Sequence, residues 1–178
     1  MFGGCRDVKK IEFGKLDFSL VTDFRWMFDH CRNLDKLDVS NFNTKNSKSF
    51  RGMFYWCEKL KLIEVSKFNS SKCESIHYMF SECHELTEID MLNWDMSNLK
   101  YDGELDKINP IDYLFFCCYK LYKIKISGNL KIEEAEKEFN GYTFGRIPRS
   151  GDLILNKIVS CNIPLDGYLP QNWSRIKE

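Results

Sequence analysis

Cysteine and histidine stand side by side twice in this chain, as His30-Cys31 and Cys83-His84. A thiol becomes a nucleophile when a base is held against it, so these pairs are the first candidates for chemistry. Their setting argues otherwise. Cys5, Cys31, Cys57, Cys83 and Cys118 share one phase of a repeat, and each is followed three residues later by Val8, Leu34, Leu60, Leu86 or Leu121. A cysteine in that phase behaves as a small buried hydrophobe, and its sequence neighbour on a helix points elsewhere. With only three histidines in 178 residues, no catalytic residue is expected and the chain reads as a non-enzyme.

Metal and cofactor chemistry fare no better. There is no C-x-x-C pair, and the 26-residue interval between the first four ladder cysteines is the repeat period rather than a ligand spacing. No glycine-rich phosphate loop and no G-x-G-x-x-G occurs. We therefore expect no metal site and no cofactor. Neighbouring rungs of a parallel stack lie about 5 Å apart, which permits disulfides by distance, but the side chains project in parallel rather than toward one another. A ladder of free thiols is expected, with Cys73, Cys117 and Cys161 off it.

The remaining candidates are surface rows. Glu12, Asp38, Glu64, Asp90 and Lys125 recur in one phase, with Lys10, Lys36 and Lys123 two positions earlier. Stacked carboxylates repel, and a basic partner surface would relieve them, although the lysines can neutralise much of the row. A second row holds Trp26, Tyr78 and Tyr113, with Gly52 leaving a gap beside Tyr55 and Trp56. Aromatic side chains on a rigid scaffold dominate many protein interfaces; packing flat against the neighbouring coil is the competing reading.

These rows exist because the chain repeats. Met1-Phe2-Gly3-Gly4-Cys5 returns as Met27-Phe28-Asp29-His30-Cys31, Met53-Phe54-Tyr55-Trp56-Cys57 and Met79-Phe80-Ser81-Glu82-Cys83, each after 26 residues. A degenerate copy, Leu114-Phe115-Phe116-Cys117-Cys118, arrives after 35, which places an insertion at Lys100 to Ile108. A fixed period of this length signals stacked supersecondary units. Within a unit, Ile11-Glu12-Phe13, Leu37-Asp38-Val39, Ile63-Glu64-Val65, Ile89-Asp90-Met91 and Ile124-Lys125-Ile126 alternate as half-buried strands, which must pair in parallel. Phe24, Met27, Phe28 and Cys31, and their counterparts, step by three and four, the spacing of a short amphipathic helix. Thr22, Ser49 or Ser75 suits its start, and Pro110 the first turn of the fifth. Leu16, Phe42, Phe68 and Trp94 plug the space between, followed by the turn-favouring Asp17, Asn43, Asn69 and Asp95.

Met27-Phe28-x-x-Cys31-x-x-Leu34-x-x-Leu37-Asp38-Val39-Ser40-Asn41-Phe42-Asn43-Thr44 resembles the BspA-like leucine-rich repeats of bacterial and protist surface proteins, over about residues 1 to 127. The expected fold is an α/β solenoid: a leucine-rich-repeat array with a parallel sheet on one face and short helices on the other. A strand-containing C-terminal cap spans 128–178, where Ile147-Pro148-Arg149-Ser150-Gly151-Asp152-Leu153 and Leu169-Pro170-Gln171-Asn172-Trp173-Ser174 resemble the endings of such proteins. The resemblance implies surface adhesion or host binding, and a cell-surface or secreted location.

Composition bounds the partner. Equal numbers of Lys+Arg and Asp+Glu, 26 each, remove the field a nucleic-acid binder shows, so the expected partner is another protein. No run approaches a membrane-spanning length, and no basic n-region with an apolar h-region opens the chain. Met1 already occupies the Met-Phe phase, so further repeats or a partner are expected to cover that edge. If Met1 is the native start, a cytoplasmic inhibitor or immunity protein that masks a toxin or enzyme is the alternative reading.

Overall fold

A computed structural model describes residues 1–100 and 110–127, and the backbone of two further strands at Ser150–Leu155 and Asn172–Lys177. Cys161, the insertion from 101 to 108 and the rest of the expected cap lie outside the described residues. Among the described residues six strands form: β1 (Lys10–Ile11), β2 (Lys36–Leu37), β3 (Glu88–Met91), β4 (Lys123–Ile126), β5 (Ser150–Leu155) and β6 (Asn172–Lys177). All pairings are parallel, in a two-stranded sheet β1-β2 and a four-stranded sheet β3-β4-β5-β6.

The expected α/β solenoid is corrected on two counts. Among the described residues there is no helix, and the strands do not make one continuous sheet, because Ile63-Glu64-Val65 is not a strand. The alternation that suggested a strand there survives as burial, with Ile63 and Val65 buried and Glu64 exposed. The expected C-terminal strands do form as β5 and β6, but they extend the sheet of β3 and β4 directly.

The helices fail for a reason visible in the backbone. Residues 25–30, 51–56, 77–82 and 110–117 are runs of turns. In each run two residues four apart have positive φ: Trp26 and His30, Gly52 and Trp56, Tyr78 and Glu82, Tyr113 and Cys117. A left-handed residue ends an α-helix wherever it falls. The amide hydrogen bonds show the alternative. Met27, Asp29 and Cys31 donate three residues back, to Phe24, Trp26 and Phe28. Phe24, Trp26, Phe28 and His30 donate instead to Ser49, Arg51, Met53 and Tyr55 of the next unit, at 2.8–3.2 Å. Phe50, Gly52, Phe54 and Trp56 repeat the scheme onto Ser75, His77, Met79 and Ser81. Consecutive units are thus tied edge to edge on this side, including across the third unit, where no strand forms, and every second amide serves its own turn. Ser49 Oγ accepts the Arg51 amide at 3.2 Å, so the expected helix cap caps a turn.

Because the units lie in register, like residues stack on like. Phe2, Phe28, Phe54, Phe80 and Phe115 form a column with centroids 5.6–5.8 Å apart and planes within 10°. Phe42, Phe68 and Trp94 make a second column with plane angles of 4° and 20°. Leu16 does not join it: it is exposed, and Phe18 fills the space by stacking on Phe42 at 3.9 Å. Asp17, Asn43, Asn69 and Asp95 each accept the amide two residues on, at 2.8–3.4 Å, the turn role their type favours.

Candidate functional site

The cysteine ladder is built into the core. The thiols of Cys31, Cys57, Cys83 and Cys118 point back at the carbonyls of Phe2, Phe28, Phe54 and Phe80, at 3.1–3.2 Å. Cys5 and the ladder cysteines Cys31, Cys57, Cys83 and Cys118 are free thiols, as is Cys73. Burial pushes the Cys31 thiol up to about 11 and Cys73 up to about 12, and raises Cys57, Cys83 and Cys118 well above the ordinary thiol value. Thiols held protonated are poor nucleophiles and poor metal ligands. Their histidine neighbours look elsewhere: His30 Nδ1 lies 2.6 Å from Asp29 Oδ1, and His84 Nε2 lies 2.8 Å from Glu82 Oε2. A further pairing, Ser75 Oγ with His77 Nδ1 at 2.9 Å, is shut away from solvent on both sides and gives a substrate no access. Among the described residues no cluster of His, Cys, Asp and Glu is arranged to hold a metal ion.

Of the expected row only Asp90 and Lys125 lie in paired strands, Glu12 and Asp38 follow β1 and β2, Glu64 lies outside any strand among the described residues, and the members differ in state. Glu12 is exposed and ion-paired with Lys10, whose ammonium holds the Glu12 carboxyl below its usual range. Asp90 is half-buried and ion-paired with Lys125 at 3.3 Å, and beside it Glu88 pairs with Lys123 at 3.1 Å. Asp38 and Glu64 are exposed and make no ion pair among the described residues. The register explains the difference. In the upper sheet Glu88 faces Lys123 and Asp90 faces Lys125, opposite charges on adjoining strands, whereas in the lower sheet Lys10 faces Lys36. Like charges directly opposite are unfavourable.

Asp38, Glu64 and Asp90 also have a structural task. Each carboxylate accepts the amide two residues on, from Ser40, Ser66 and Leu92, at 2.9–3.1 Å. The side chain and amide of Ser40 hold the Asp38 carboxyl below its usual range.

A concavity of about 700 Å³ opens over the strand face of the first three units, lined by Ile11, Phe13, Leu16, Leu37 and Leu62 with Glu12, Asp38, Lys36 and Lys61 among its charges. A smaller one of about 390 Å³, with Glu64, Glu88 and Asp90, adjoins it across Leu62. Leu62 is 64 % exposed between the two. It escaped sequence reasoning, although the signal was present: Lys10, Lys36, Glu88 and Lys123 fill the same phase, and one leucine stands in that charged row.

The aromatic row is present but is not a set of freely projecting rings. Trp26, Tyr55, Trp56, Tyr78 and Tyr113 are all half-buried. Tyr78 stacks on Tyr113 at 4.7 Å, and Tyr55 meets both Trp26 and Tyr78 edge-on at 5.8 and 5.7 Å. Trp56 stacks on His30 at 5.3 Å and carries the Arg32 guanidinium 4.0 Å over its ring. The gap expected at Gly52 is filled by the indole of Trp26. The flank is a packed aromatic seam whose outer rims alone face solvent.

Among the described residues no helix is long and apolar enough to cross a membrane. No curated protein and no solved structure matches the chain. One family model does, over residues 1–105, which takes in the first four units, the larger concavity and all four carboxylates of the row. With more than half its length matched, the chain belongs to the family described as Mycoplasma protein of unknown function, DUF285.

Proposed function

We propose that this chain is a non-enzymatic protein-protein interaction module that captures its partner on the strand face, with the rims of the aromatic seam as a second contact. The observation that carries the reading is the concavity over the first three units. It combines an exposed leucine, an apolar lining and the Asp38 carboxylate, which has no ion pair among the described residues, and Glu64 adjoins it across Leu62 in the smaller concavity. Stable side chains around an apolar centre with a charged rim are how protein interfaces are composed. The edge-to-edge amide bonds hold the surface rigid, so binding orders little of the scaffold. The likeness to BspA-like surface repeats directs the reading to adhesion or host-partner binding.

The test is affinity capture with the intact chain as bait against extracellular-matrix and cell-surface fractions, read by mass spectrometry. A stoichiometric protein partner whose capture weakens with Leu62→Ser supports the reading. Capture of no protein from either fraction rejects it.

A further inference from the structure

We infer that the strand-face groove seats an extended segment of a partner protein that carries an arginine among aliphatic residues, its guanidinium lying between Asp38 and Glu64. The inference rests on the interaction reading above and specifies the chemistry of the partner.

Three observations fix that chemistry. First, the charge of the four-carboxylate row is not uniform. Glu12 is satisfied by Lys10 and Asp90 by Lys125, which leaves Asp38 and Glu64 as the adjoining pair without a counter-ion among the described residues. They occupy the same phase of neighbouring units, and a guanidinium, with five donors in a planar fork, can meet two carboxylates with directed bonds where an ammonium offers a compact point charge.

Second, both carboxylates are already oriented. Asp38 and Glu64 each accept an amide of their own turn, from Ser40 and Ser66, at 2.9 Å. A carboxylate offers about four lone-pair sites, so each keeps capacity for a partner's donor while its direction is held.

Third, apolar surface adjoins both carboxylates. Leu62 is shared by both concavities, and Ile11 and Leu16 continue the apolar surface. Lys36 and Lys61 also line the larger concavity, and Lys36 is two residues before Asp38 on the same segment, about 7 Å away. They repel a polybasic run and so restrict the segment to an isolated arginine with aliphatic neighbours.

Panning a display library of random linear dodecapeptides on the intact chain tests this, with the enriched peptide then titrated by fluorescence anisotropy. The expected pool has an arginine flanked by aliphatic residues. The peptide should bind at least tenfold more weakly to Leu62→Ser and to Asp38→Asn/Glu64→Gln, which keep an acceptor for the turn amides. It should bind unchanged to Leu20→Ser, which removes a still more exposed leucine outside the groove. A pool without arginine, a polybasic pool, no enrichment, or binding that survives Leu62→Ser overturns the inference. If those variants still capture a partner in the affinity experiment, the interaction reading stands and this assignment alone fails.

Discussion

The indole of Trp26 lies against the backbone of Gly52 in the next unit, so close that a Cβ placed there would sit 2.1 Å from Cε3 and Cζ3. Gly52 also has φ +58°, the conformation its counterparts Trp26, Tyr78 and Tyr113 adopt with full side chains. The absent side chain in one unit is therefore a seat for the ring of another. Gly52→Ala meets two penalties. The left-handed backbone costs an alanine about 1–2 kcal/mol, and displacing the ring adds about 1–3 kcal/mol of overpacking. Urea unfolding followed by circular dichroism should show a loss in that range. In the Trp26→Ala/Gly52→Ala double variant the steric part disappears, so the losses should be clearly less than additive.

The buried thiols make stability fall in alkali. Desolvation raises Cys31 from 9.0 to about 11 and Cys73 to about 12, while the unfolded thiols titrate near the ordinary value. A group whose folded pKa is raised contributes fully below its unfolded pKa and loses that contribution as pH climbs toward the folded one. Between about pH 9 and 11 the unfolded chain releases protons that the folded chain keeps, so each such thiol lowers stability by up to about 1.4 kcal/mol per pH unit. Urea midpoints measured from pH 7 to 10 should be flat and then drop. Cys73→Ala should reduce the slope of the drop, and an unchanged slope would remove Cys73 from the account.

The carboxylate row has to be perturbed with care, since Asp38, Glu64 and Asp90 hold turns. Reversing all four carboxylates to lysine removes those acceptors together with the charge, so a loss of binding would be confounded with a loss of structure. Asp38→Asn keeps an acceptor for the Ser40 amide and should leave the thermal midpoint near that of the parent, whereas Asp38→Ala should lower it. The lowered pKa of Asp38 gives the same contrast a pH signature: its contribution is present above the unfolded carboxylate pKa and is lost as pH falls through the lower folded value. The Asp38→Ala variant should therefore lose less stability than the parent on acidification below about pH 4.

What could be read from residues alone follows from what each pattern constrains. Period and phase placed the stacked columns, because Phe2, Phe28, Phe54 and Phe80 can only recur in register if the units do. The buried identity of Phe24, Met27, Phe28 and Cys31 was equally legible. Their conformation was not, since steps of three and four fit a helix and fit two successive turns with a left-handed residue every fourth position. The discriminating marks were Gly4 and Gly52, both at positive φ and in phase with His30 and Trp26. For the site, spacing put the carboxylates in one phase but was blind to register charge, which pairs Asp90 with Lys125 and leaves Asp38 and Glu64 exposed without an ion pair among the described residues.

Trp94 offers a separation of shape from hydrogen bonding that the repeat itself supplies. It occupies the position of Phe42 and Phe68, is 1 % exposed, and donates its Nε1 hydrogen to the Val65 carbonyl at 2.9 Å. Phenylalanine evidently fits this column, because it stands at the same place in the two preceding units, with Phe68 stacked 6.0 Å from Trp94. Trp94→Phe therefore keeps the stacking and removes the donor. The Val65 carbonyl keeps the Phe68 amide at 3.0 Å, so the loss is that of one hydrogen bond, about 0.5–1.5 kcal/mol. Trp94→Ala loses the column as well, and a buried aromatic truncated to alanine costs about 3–5 kcal/mol. Guanidinium unfolding of the two variants should place them in that order. If Trp94→Phe matched the parent, the Nε1 bond would contribute nothing net, and the tryptophan would act by its size alone.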